Sequence, residues 1–177
     1  MTRLTWLAMG YQVPIHPSKC RVYVWRKLKE YGAEYFKAGV ALLPKNATNM
    51  TRFRDLARKI REMGGEATIA ELRLCDSRDE REMIEKFTRQ SQGEYQELIA
   101  DLETLSRSIR DDVFMASGGN DQVKKLGKRY KQVRSRDYFR ARAEPKISQS
   151  LDELMLDMAY ATDDLARHLV ALLSDAD

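Results

Sequence analysis

The chain has 177 residues, 43% hydrophobic and 33% charged, with a net charge of +4 from 31 Lys and Arg against 27 Asp and Glu. This is enough apolar material for a core, and enough length for one domain with an appendage or two small ones, which excludes a disordered chain. No run reaches the roughly 18 apolar residues of a membrane span, and Arg3 ahead of Gly10, Pro14 and His16 does not make a secretory signal. A cytoplasmic protein is the expectation.

Residues 4–13 read as a strand that Pro14, His16 and Pro17 stop. Ser18 is a fit N-cap for a helix running to Tyr31, whose stripe is formed by Val22, Trp25 and Leu28 with Val24 and Tyr31, and Gly32 closes it. AEYFKAGVALLPK then carries two apolar runs around Lys37-Ala38-Gly39, the pattern of a tight hairpin. Met50, Phe53, Leu56, Ala57, Ile60 and Met63 recur at helical spacing, so a second helix is expected over Thr48–Met63, closed by Gly64-Gly65. EATIAELRLCD follows as a fourth strand.

The order β-α-β-β-α-β is that of a ferredoxin-like unit over residues 1–76, making the fold class α+β. A helical extension of about three helices occupies 77–177. Ser77 with Glu80 makes a capping box, and apolar positions from Met83 to Ile109 predict one long helix to about Asp112, with a kink at most near Gly93. Residues 113–119 read as a loop, and Asn120 or Asp121 starts a basic helix through Val123, Leu126, Tyr130 and Val133. After RARAEPK, Ser148 or Ser150 opens a last helix with Leu151, Leu154, Met158, Ala161, Leu165 and Leu169 on its buried face.

Charge is segregated along these elements. Residues 1–65 carry 13 Lys and Arg against 4 Asp and Glu, residues 66–119 carry 7 against 13, residues 120–146 carry 10 against 3, and residues 147–177 carry 1 against 7. Two basic blocks separated by acidic ones signal either internal pairing or a cationic face for a polyanion. In the first block Arg21, Arg26 and Lys27, with Lys19 and Lys29, line the first helix. The second block is denser: Lys124, Lys125, Lys128, Arg129, Lys131, Arg134, Arg136, Arg140 and Arg142 alternate with Tyr130, Tyr138 and Phe139. Guanidinium forks match phosphate oxygens and aromatic faces supply stacking, so this pattern suits an anionic partner. The competing expectation is ion pairing, of the first block with the helix 77–112 and of the second with Asp152, Glu153 and Asp157.

Catalytic templates are missing: there is no GxGxxG, GxxxxGK[ST], HExxH or GxSxG, and the two histidines are far apart. Cys20 and Cys75 form no CxxC pair, so no zinc site, catalytic residue or cofactor is expected, and both read as packed thiols. Cys20 between Lys19 and Arg21 leaves a weak redox role open.

TWL, RVYVWRKLKEYGA, GVALLP, RDLARKIREMGGEATIAEL, FTRQSQGEYQELIADLETL and SRDYFRARAEPKISQSLDEL together resemble the N-terminal domain of ChrB-type chromate resistance proteins, from about Trp6 to Leu154. The resemblance implies a cytoplasmic regulator of chromate efflux, in a family whose full-length members carry a further C-terminal domain. The first half is also similar to the ferredoxin-like domain of PaaX-type repressors and to a family of small metal-dependent nucleases. Where those nucleases carry an aspartate at the end of the first strand, this chain has Tyr11-Gln12-Val13, which argues against nuclease chemistry.

The sequence therefore points to a non-enzymatic regulator that meets DNA phosphates through its basic segments. Two alternatives stay open: an oxyanion or chromate sensor built from Arg and Lys donors near Cys20, and a structural module. A homodimer is compatible with each.

Overall fold

A computed structural model describes residues 4–14, 16, 18–110, 119–141, 146, 147 and 149–153. The chain divides into two compact units, Met1–Thr88 and Arg89–Asp177. Its class is α+β.

The first unit contains β1 (Trp6–Gln12), α1 (Lys19–Tyr31), β2 (Glu34–Lys37), β3 (Val40–Pro44), α2 (Ala47–Glu62) and β4 (Glu66–Leu72), followed by the start of α3 (Ser77–Arg110). The four strands form one antiparallel sheet in the order β2-β3-β1-β4. Met9 stands opposite Ala41 on one side and Ile69 on the other. Side chains alternate between sheet faces, yet Trp6, Leu7, Ala8 and Met9 are all buried, so β1 is covered on both faces. On one, Trp6 stacks on Phe87 of α3 with ring centroids 5.7 Å apart. On the other, α2 packs over β1 and β4 with Phe53, Leu56, Ala57 and Ile60 buried, and α1 lies against α2.

Glycines close these elements where the backbone demands it. Gly32 takes φ 67°, and the Ala33 N–H bonds the Leu28 carbonyl at 2.9 Å, a Schellman end. Gly39 takes φ 75° at the hairpin turn expected there.

Three details depart from the sequence expectations. The buried face of α1 is Cys20, Val24 and Leu28, a strict four-residue repeat, whereas Val22 and Trp25 are exposed. The layer beneath α1 accepts only a narrow stripe, and the three-residue steps from Val22 to Trp25 to Leu28 start outside it. Ser18 adopts φ −58° and ψ −22° and makes no side-chain cap, because it already has helical geometry. At α3 the capping box does not form: Asp76 accepts the Arg78 N–H at 2.7 Å, while Glu80 turns away to accept the Leu4 N–H at 2.9 Å. By contrast, Asn46 caps α2 by accepting the Asn49 N–H at 2.7 Å.

The helix α3 continues through Gly93 for 34 residues. In the second unit its Tyr95, Leu98, Ile99, Leu102 and Leu105 form a core with Val123, Tyr130 and Val133 of α4 (Gly119–Arg134) and with Ala141, Ile147 and Leu151. Residues 146, 147 and 149–153 are helical. The expected loop over 113–119 lies outside the described residues except for Gly119, which opens α4, and so do Arg142, Asp157 and the last helix beyond Glu153.

Candidate functional site

Because α1 and α2 each turn an apolar stripe to the sheet, their remaining faces carry the polar residues. Those faces hold ten Lys and Arg, namely five on α1 and Arg52, Arg54, Arg58, Lys59 and Arg61 on α2, against Glu30, Asp55 and Glu62. The two helices are neighbours, with the Arg52 guanidinium 5.5 Å from the centre of the Tyr31 ring. Burial raises the pKa of the Tyr31 hydroxyl.

Part of this charge is internally matched. Lys27 pairs with Glu30 at 2.8 Å, Arg58 with Asp55 at 2.8 Å and Lys59 with Glu62 at 3.0 Å, all on exposed helix surface where such pairs hold only weakly. The hydrogen bond to Glu30 raises the pKa of Lys27, and the one to Glu62 raises that of Lys59, so both stay cationic. Arg61 donates to the Ala67 carbonyl at 2.6 Å, tying α2 to β4. Lys19, Arg21, Arg26 and Arg54 make no ion pair with any described residue and are exposed. These four cations therefore take no part in the ion pairing with α3 that was the competing expectation.

Between these cations lies Trp25, 50% exposed, with the Lys29 ammonium 5.1 Å from its ring centre. Cys20, on the opposite side of α1, is buried at 4% exposure, and Cys75 is exposed after β4. No thiol on α1 thus faces the solvent beside the cations.

The denser basic segment is used differently. Arg136, only 13% exposed, forks onto Glu94 of α3 through two bonds of 2.9 and 2.7 Å. Arg129 reaches Asp101 at 2.6 Å and also bonds Glu97, both on α3. Arg129 of α4 and Arg136 just beyond it thus pair with carboxylates of α3, while Asp152 and Glu153 are exposed and Glu153 accepts from Gln149 at 3.2 Å. Arg134 donates to the Tyr130 hydroxyl at 3.1 Å. Lys124, Lys125, Lys128, Lys131 and Arg140 are exposed, Arg140 with a left-handed φ of 53°.

The cations of α2 were the part that sequence reasoning missed. Five Lys and Arg within Arg52–Arg61 were visible, but nothing in the sequence said that α2 would lie beside α1. Among the described residues no cluster of three His, Cys, Asp or Glu could hold a metal ion, and no helix is long and apolar enough to cross a membrane.

A family model described as "Protein ChrB, N-terminal" matches residues 21–171. No curated protein and no solved structure matches the chain.

Proposed function

The chain belongs to the ChrB N-terminal family, associated with chromate resistance, and from that premise we propose that it is a cytoplasmic regulatory protein whose α1/α2 layer grips the phosphates of DNA. One observation carries the proposal. Ten basic residues against three acidic ones sit on two adjacent helices, and Lys19, Arg21, Arg26 and Arg54 there have no ion pair with a described residue. Cations left unneutralised on one surface are what a polyanion needs, since each phosphate they meet releases a condensed counterion.

The second unit carries exposed lysines of its own on α4, whereas Arg129 and Arg136 are engaged by α3 and serve the packing of that unit. The strand order β2-β3-β1-β4 supports reading the first unit as ferredoxin-like. No catalytic role is assigned to any side chain, and neither metal nor cofactor enters the reading.

Fluorescence anisotropy with a labelled duplex from the promoter of its own operon, repeated across a salt series, tests the proposal. Four phosphate contacts predict a slope of log K against log salt of about −3.6. No binding at low salt overturns it.

A further inference from the structure

Trp25 is a large apolar ring on a helix surface, half exposed and flanked by cations. The other tryptophan, Trp6, shows what this chain does with an indole that serves packing: it is fully buried and stacked on Phe87. Trp25 lies one helical turn from Arg21 and Lys29, and next to Arg26. The Lys29 ammonium lies 5.1 Å from the ring centre, and Val22, 43% exposed, extends the apolar patch along the same side.

An aromatic face among phosphate-binding cations has a specific use. In a duplex the bases stack on one another and only their edges are open to a protein, so an aromatic ring on α1 finds no base face to cover. In a single strand the bases are free, and each can lie on an aromatic ring while the backbone follows the positive charge. The same combination fits poorly with an acidic peptide, which would satisfy the cations and leave the ring uncovered.

We infer that Trp25 is a stacking platform for an unpaired nucleic-acid base, with Arg21 and Arg26 holding the adjoining phosphates. This rests on the nucleic-acid reading of the α1/α2 layer and adds to its ligands single-stranded segments, such as those exposed in melted promoter DNA or in a transcript.

The test uses the full chain, an oligothymidylate and a long oligo(dA)·oligo(dT) duplex. The difference in emission between the wild type and Trp25→Phe isolates the Trp25 signal, since Trp6 is common to both. The single strand should quench that signal. Trp25→Ala should weaken the single strand about five- to hundred-fold and leave duplex affinity unchanged, while Trp25→Phe keeps most of the affinity. Circular dichroism confirms that the variants fold, as expected for an exposed helical position.

Equal losses for both nucleic acids, or binding of the single strand without quenching, overturn the inference and leave the duplex reading standing. Binding of neither overturns both. A blue shift with anionic vesicles and no response to the oligonucleotide also overturns it, and assigns the face to a membrane surface instead.

Discussion

Arg136→Ala separates the two uses to which this chain puts its arginines. Its guanidinium meets Glu94 in two charge-assisted bonds of 2.9 and 2.7 Å, and the side chains are 13% and 22% exposed. Fully exposed pairs are worth 0 to about 1 kcal/mol, while breaking a buried pair costs about 3–5 kcal/mol, much of it from the charge left behind. This pair lies between the two limits, so the expected loss is about 2 kcal/mol, roughly thirty-fold in the folding equilibrium. Over a chain of this length that is a drop of about 4–8 °C in Tm. Urea denaturation of the wild type, Arg136→Ala, Glu94→Ala and the double variant measures it. The double-mutant cycle should give a coupling well above that of Arg129 with Asp101, whose side chains are 38% and 49% exposed. Arg136→Lys should recover only part of the loss, because an ammonium cannot reproduce the planar fork. A loss below about 0.5 kcal/mol, no greater than that of Arg129→Ala, refutes the clamp. So does a fall in duplex affinity without any fall in stability.

Replacing Arg21, Arg26 and Arg54 together by Ala should reduce the salt slope of duplex binding by about 0.9 per side chain with little change in Tm, as read by anisotropy and by melting. Gly65→Ala should lower the urea midpoint by the equivalent of about 1–3 kcal/mol, since its Cβ would lie 2.5 Å from the Gln12 carbonyl oxygen and 2.9 Å from the Ile60 side chain. Gly10→Ala, with nothing within 4 Å, should escape this clash and is the control for strain. Burial raises the pKa of Glu34, against a smaller opposing pull from Lys86. The folded state therefore holds the Glu34 proton more tightly than the unfolded chain, so its contribution is present below the unfolded carboxylate pKa and is lost as pH rises through the folded one. Glu34→Gln should accordingly be more stable than wild type at pH 7, with the advantage vanishing at pH 3 in parallel urea titrations.

What could be read from the sequence follows the range of the interactions involved. Gly32, Gly39 and the repeat of Phe53, Leu56, Ala57 and Ile60 act over a few residues, and the helix ends, hairpin and α2 stand where they were expected. Trp25 lies outside the core because hydrophobicity states a preference, not a location: the stripe beneath α1 is only as wide as Cys20, Val24 and Leu28. The roles of Arg136 and Arg129 depend on Glu94, Glu97 and Asp101, between 28 and 42 residues away, and no local pattern encodes that pairing. The joining of α1 and α2 into one basic layer is likewise a product of the sheet order, invisible in a list of charges.

The central place of β1 bears on how the chain is made. Its hydrogen-bonding partners are residues 40–44 and 66–72, both made after it, so one edge of β1 stays open until β3 has been synthesised and the other until β4 has. At roughly 5–20 residues per second the intervening chain takes on the order of 3–12 s. Throughout that interval WLAMGYQ is an uncharged segment with at least one edge unpaired, the kind of segment that can seek another nascent chain. Shielding of residues 6–12 while β4 is still being made is thus a requirement that the sheet order places on the synthesis of this chain.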